Sequence, residues 1–229
     1  MNKMRTRLII VRHAEAEGNY KRIFHGWSDG EITEKGHIQA AKVAEKLKDA
    51  EIDVLYSSSL KRTMQTAGYI AKVKNLPIIR TDQLKEINGG DWEGQPWDVL
   101  PQKWPEEYHT WENKPHLHKM PNGETMEEFQ LRLIDEIKHI ISMNTGKNIC
   151  IVMHGTGIKA LLCYFNSYDL EKMFDIQWCD NTAITIIDYE DDKFTVRLEG
   201  DSSHLGDELS TIKNQDWWED YLKMINEKK

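Results

Sequence analysis

The sequence predicts an α/β fold, a three-layer sandwich whose mainly parallel central sheet is flanked by helices, with a short helical lid inserted in mid-chain. Two observations predict the sheet and one the lid. Apolar runs of strand length recur at Leu8 to Val11, Asp53 to Tyr56, Ile149 to Met153 and Ala183 to Asp188. Segments of helical period separate several of them, which implies crossover connections. Between Gln95 and Pro121 the pattern breaks into closely spaced Pro and Trp. With 229 residues, 39% apolar and 30% charged, the chain can bury a sizeable core and is expected to form one domain, 1–229.

Taken in order, the first strand ends in the dipeptide Arg12-His13. The first helix is expected to start at the cap Thr33, because Ala40, Val43, Ala44 and Leu47 then share one face. A second helix runs from about Ser59 to Lys74, with Leu60, Met64, Ala67 and Ala71 on its inner stripe, Ile70 beside it and Arg62 in its first turn. The segment 95–121 holds five prolines with Trp97, Trp104 and Trp111, so it reads as short helices and turns. Such an insertion suits a lid or specificity element, and equally suits packing of its Trp onto the body. A third helix follows Asn122-Gly123 and carries Met126, Phe129, Leu133, Ile137 and Ile140. The strand after it ends in His154-Gly155, and Lys193 to Leu198 is expected as an edge strand. In the tail, about 205–229, residues from Asp216 onward read as an amphipathic helix with Trp217, Trp218, Tyr221 and Leu222 packing on its own domain. An exposed edge and an aromatic tail also leave a homodimer open.

The net charge of -8 opposes general nucleic-acid or anionic-membrane binding, since those partners need a basic face. A small anionic substrate is compatible with it, because a few cations in a cleft set the local potential. Cys150, Cys163 and Cys179 show no C-x-x-C spacing and read as reduced thiols. Leu8 to Val11 is too short for a signal-peptide core and no run has the length of a membrane span, so the expected location is the cytoplasm.

Ligands of open parallel sheets gather outside the carboxyl ends of the strands. Three stretches put cations there: Arg12-His13, Arg62 after Tyr56-Ser57-Ser58, and His154-Gly155. Two guanidinium groups and two imidazoles at one edge carry a heavy electrostatic cost unless an anion binds. Guanidinium matches phosphate oxygens, and imidazole is a nucleophile that is largely neutral near pH 7. Glu86, in LKEINGGDWEG, could protonate a leaving alkoxide and then deprotonate a water. Asp91 and Glu93 are expected as loop or surface groups, and Gly89, Gly90 and Gly94 as turn residues. The remaining histidines, His25, His37, His109, His116, His118, His139 and His204, lack metal-ligand spacing, so no metal and no cofactor are expected.

These residues carry a resemblance to the histidine phosphatase superfamily, the branch of phosphoglycerate mutases and bacterial small-molecule phosphatases. Its opening motif is matched by Arg12, His13, Ala14, Glu15, Asn19, Gly26, Trp27, Asp29, Ile32, Thr33 and Gly36. A second is matched by Ser58, Leu60, Arg62, Thr63, Gln65, Thr66 and Ala67, and a third by Leu84, Glu86, Gly90, Trp92, Glu93 and Gly94. Gly123-Glu124-Thr125 and His154-Gly155 complete the set. The resemblance implies that His13 becomes phosphohistidine, that Arg12, Arg62, His154 and Asn19 bind the phosphoryl oxygens, and that Glu86 is the acid and base. It also puts His25, Gly26 and Gly155 beside phosphate or substrate. No metal is required, since side chains supply the cations.

Ala16 and His25 depart from the mutase pattern, and only 68 positions separate Glu86 from His154. The expected function is therefore a metal-independent phosphomonoesterase acting on a small phosphorylated metabolite. A cofactor-dependent phosphoglycerate mutase is the alternative, and a non-catalytic phosphate-binding relative is a third. The Trp-rich lid, with Lys114, His116, His118 and Lys119, suits a substrate larger or more apolar than phosphoglycerate.

Overall fold

A computed structural model describes residues 4–227. In chain order the elements are β1 (Thr6–Arg12), α1 (Glu17–Lys21), α2 (Glu34–Lys46), β2 (Val54–Ser58), α3 (Lys61–Lys74), β3 (Ile78–Thr81), α4 (Leu100–Lys103), α5 (Pro105–Asn113), α6 (Met126–Met143), β4 (Asn148–Met153), α7 (Gly155–Phe165), β5 (Ile184–Glu190), β6 (Lys193–Asp201), α8 (Gly206–Leu209) and α9 (Trp218–Glu227). The sheet order is β3-β2-β4-β1-β5-β6. The first four strands are parallel, whereas β5 runs antiparallel to β1 and β6 to β5. Asp191 and Asp192 turn the last hairpin with φ of 53° and 60°, the left-handed geometry of a tight hairpin that Asp tolerates.

Alternation along β1 divides the core between two layers. Leu8 and Ile10 point into a cluster with Phe129, Leu133 and Ile137 of α6 and Leu161 of α7. Ile9 and Val11 point the other way, to Val43 of α2 and Ala67 and Ile70 of α3. Every one of these side chains is nearly or fully buried, so the sheet is covered on both faces, as a parallel sheet requires. Among the described residues, no helix is long and apolar enough to cross a membrane.

Helix starts follow local chemistry in two cases and tertiary chemistry in a third. Thr33 accepts a hydrogen bond from Gly36 N at 3.0 Å and caps α2. Thr125 and Glu128 form a reciprocal capping box that starts α6. Leu60, at the α3 N-cap, offers no side-chain acceptor; Asp29, from a distant loop, accepts from Lys61 N at 2.7 Å instead. That bond ties the loop 25–29 to the helix that carries Arg62.

The insertion folds as expected into short helices and turns, α4, α5 and a single turn at Pro115–Leu117. Its tryptophans do pack on the body: Trp104 and Trp111 stand 6.5 and 6.0 Å from the buried Trp92, and Trp97 lies 5.4 Å from Phe24. Four elements escaped the sequence reading: α7, which is buried on nearly every side and so shows no amphipathic period, the four-residue α8, and two more. Strand β3 is a four-residue edge, too short for an alternation to register, and α1 is a five-residue helix without a side-chain cap hydrogen bond.

Candidate active site

His13 leaves the end of β1 with its backbone held twice: its N–H donates to Met153 O at 2.9 Å, and its carbonyl accepts from Asn181 Nδ2 at 2.8 Å. His13 is 3% exposed. Its Nδ1 lies 2.8 Å from the carbonyl of Ala14, an acceptor only, so Nδ1 carries the proton and Nε2 keeps the lone pair. Burial, followed by the charges of Arg62 and Arg12, pushes the His13 pKa well below the usual imidazole value. A neutral, oriented imidazole results.

Two further imidazoles face it, His154 at 5.3 Å and His25 at 6.0 Å between ring centroids. His154 follows β4 as the N-cap of α7, and its Nε2 lies 2.8 Å from Ser58 Oγ at the end of β2. His25 is seated directly on Gly18, where a Cβ would come within 2.4 Å of the ring, so only glycine fits. Burial depresses both pKa values, with Arg62 adding to the effect.

The arginines are fixed but not saturated. Arg12 donates from Nη1 to Cys179 O at 2.5 Å, while its buried Nε has no partner. Arg62 donates from Nη1 to Ser28 O at 2.9 Å and from Nη2 to His25 O and Gly26 O at 3.1 and 2.7 Å; its Nε is likewise unpartnered. Burial brings the Arg62 pKa down to about 10, which leaves it cationic near neutrality. The Nδ1 atoms of His25 and His154 are also buried without partners. Buried polar groups are rarely left this way, and four around one imidazole mark a place where something binds.

Glu86 accepts from Ile87 N at 2.9 Å and from Thr156 N, in the first turn of α7, at 3.0 Å. Desolvation nevertheless wins, and its pKa lies above the ordinary carboxylate value. Glu93, expected as a loop or surface group, is instead a clamp. Its Oε1 accepts from Trp27 N at 2.7 Å and Gly89 N at 2.9 Å, and its Oε2 from Gly26 N at 3.2 Å, Ser28 N at 2.9 Å and Ser28 Oγ at 2.5 Å. Glu15 is buried as well, bonded to Thr33 Oγ1 and Thr211 Oγ1 and paired with Lys35 at 3.0 Å.

A cavity of about 620 Å³ opens over this cluster. Of the residues singled out from the sequence, Arg12, His13, Asn19, His25, Glu86 and Gly155 line it. Asn19 commits its Oδ1 to Ala16 N at 3.0 Å, which leaves its amide NH₂ for the cavity side. Arg62, His154 and Gly26 do not form its wall, and the Gly26 amide is taken by Glu93. From the lid, Trp97 and Trp111 line the cavity but Trp104 does not, and neither do Lys114, His116, His118 or Lys119. His118 is buried against Trp92 at 5.1 Å, and burial brings its pKa down to about 4.

Sequence reasoning did not find Lys159, Phe174, Trp178, Trp217 or Tyr221 as cavity residues. The legible signal was Lys159, the single charge in the otherwise apolar helix GTGIKALLCYF. The tail contributes because Asp180 accepts from Thr211 N at 2.9 Å and Ile212 N at 3.3 Å, and also from Ser210 Oγ.

Fold and site together define a superfamily, and the chain belongs to it: the profile of the histidine phosphatase superfamily (branch 1) matches residues 8–202. Phosphoserine phosphatase 1 of Hydrogenobacter thermophilus is 32% identical over 201 residues, 88% of this chain and 95% of that one. A 2,3-bisphosphoglycerate-dependent phosphoglycerate mutase of Bartonella tribocorum is 32% identical over 187 residues, 79% and 90% of the two chains. The solved structure of Bacillus stearothermophilus YhfR superposes with a TM-score of 0.84 at 32% identity, covering 87% of this chain and 98% of that one. Phosphatases and mutases thus both stand among the relatives, and Thr211 to Tyr221 in the cavity wall lie beyond the family match.

Proposed function

We propose that the protein is a metal-independent phosphomonoesterase working through a phosphohistidine on His13. The observation that carries this reading is the set of four unpartnered buried nitrogens around His13, in a cleft that also holds Glu86. In the first step the His13 Nε2 lone pair forms a bond to phosphorus and the ester P–O bond breaks. The leaving oxygen takes a proton from Glu86, whose raised pKa keeps it protonated to higher pH than a free carboxyl group. In the second step water attacks phosphorus, gives a proton to Glu86 and breaks the P–N bond, so that alcohol and inorganic phosphate are the only products.

The cations act where charge spreads over the equatorial oxygens. Arg12 and Asn19 line the cavity, while Arg62 and His154, each with one unpartnered buried nitrogen, lie outside its wall, and Arg62 reaches His13 through its charge. The three cysteines are buried and unpaired, which accords with a cytoplasmic setting.

The test is a monoester panel assayed for phosphate release without added metal, beside the interconversion of 2- and 3-phosphoglycerate. We expect phosphate release from the intact protein and a loss of at least about 10³-fold in kcat for His13→Ala. Interconversion without phosphate release would instead establish the mutase alternative. An unchanged rate in His13→Ala would remove the covalent step.

A further inference from the structure

We propose that Lys159 is a specificity-determining residue that binds a second anionic group, on the leaving half of an aromatic phosphomonoester. The inference deepens the phosphomonoesterase reading and rests on it. Lys159 is 6% exposed and lines the cavity from α7, one helical turn beyond Gly155 and on the same face. Among the described residues no carboxylate forms an ion pair with it; its contact is with the face of Trp178, 4.5 Å from Nζ to the ring centroid. Lysine is almost never buried without an anionic partner, because desolvating an ammonium group is costly. Asp175, Cys163 and Cys179 are the titratable groups within electrostatic reach, and burial still brings the Lys159 pKa only to about 8. The ammonium is therefore charged at neutral pH.

Trp178 links this charge to the phosphate cluster. A Cβ at Gly155 would lie 3.3 Å from the edge of the indole and 3.1 Å from Arg12 Nε, so one ring borders both the Arg12 guanidinium and Lys159. The rest of the wall fixes the chemistry of the leaving half. Trp97, Tyr108, Trp111 and Phe174 offer aromatic surface suited to a planar group. The lid carries Asp98 and Glu112, which repel an anion, so the second negative group belongs at the Lys159 end. Arg22 also lines the cavity but already donates to Gln215 at 3.1 Å.

The experiment compares phenyl phosphate with the isomeric carboxyphenyl phosphates in the wild type, Lys159→Met and Lys159→Arg. We expect the best carboxylated ester to be preferred by roughly tenfold or more in kcat/KM, the worth of one charge-assisted hydrogen bond. Lys159→Met should lose most of that preference while its loss on phenyl phosphate stays within about twofold, and Lys159→Arg should keep part of it. The preference should fade as pH rises through about 8, where Lys159 loses its proton. A preference that survives Lys159→Met, or an equal loss on both esters, overturns the proposal.

Phenylphosphonate and carboxyphenylphosphonates, titrated by tryptophan fluorescence, give the same comparison without turnover. A Lys159-dependent preference in binding with no hydrolysis would sustain this inference and sink the phosphomonoesterase reading; failure of both phosphonates to bind would sink both. Thermal melts separate a structural role. Removing an unpaired buried cation should leave Lys159→Met as stable as the wild type or more so, whereas a marked loss of stability would count against a binding role.

Discussion

Glu93→Gln isolates the clamp on the loop 26–28, because it keeps the shape of the side chain and removes its charge and one acceptor. A glutamine can present its oxygen to only one of the two donor sets. If it serves Gly26 N and Ser28 N, then Trp27 N and Gly89 N face an amide NH₂; in the other orientation Gly26 N and Ser28 N do. Two backbone donors are stranded either way, at about 1–3 kcal/mol each. Glu93 is half-buried and Trp27 is 40% exposed, so water relieves part of this, and a total near 2–3 kcal/mol is expected. Equilibrium urea denaturation measures it, with Asp91→Asn as control, since exposed Asp91 holds Asn122 alone at 2.9 Å and should shift stability by about 0.5 kcal/mol or less. The loop carbonyls that fix Arg62 should move with the lost clamp, lowering kcat by about tenfold or more. A stability loss below about 1 kcal/mol at unchanged m, with full activity, would refute the account of Glu93 as a clamp.

Glu86→Gln should cost about 10²–10⁴ in kcat/KM, which reports the first step, for alkyl phosphates, which need a proton on the leaving oxygen, and far less for p-nitrophenyl phosphate, whose leaving group does not; equal losses in kcat/KM would remove Glu86 as the acid. In the wild type, kcat/KM for an alkyl ester should fall as pH rises through the raised pKa of Glu86. The first-step proton on Glu86 is lost as pH rises through its raised pKa, while the lowered pKa of His13 keeps the nucleophile neutral well below the usual imidazole range. Trp97→Ala should reorder the substrate panel, whereas Trp104→Ala, outside the cavity wall, should lower the melting temperature and leave the order as it was.

The sheet was legible because β1 and β4 carry the apolar runs Leu8 to Val11 and Ile149 to Met153, each followed at once by a cationic or imidazole side chain. The chemistry at their ends was legible for a related reason: Arg12, His13 and His154 interrupt those runs where a buried charge is expensive. What the sequence hid is long-range. Apart from its place in the third motif, nothing in charge or spacing sets Glu93 apart from Asp91, two positions earlier, because the difference lies in five donors brought by residues 26–28 and 89. Arg62 reads as a ligand in the chain, yet its two terminal nitrogens hold loop carbonyls and only Nε is unpartnered. The tail's share in the cavity depends on Asp180 capturing the backbone at Thr211 and Ile212, a contact across about thirty residues that no periodicity encodes.

Arg62 and Glu93 hold opposite sides of the same two peptide groups. The His25 and Gly26 carbonyls point to the guanidinium, and the Gly26 and Trp27 amides that follow them point to the carboxylate. Cation, peptide dipoles and anion are thus stacked in series, and neutralising either end leaves the other facing an aligned dipole without its counter-charge. The inheritable unit at this site is then the loop together with both residues, although they lie far apart in the chain. A chimera that imports the Arg62 helix from a relative without its matching Trp-Glu-Gly turn would carry the charge and lose the scaffold that aims it.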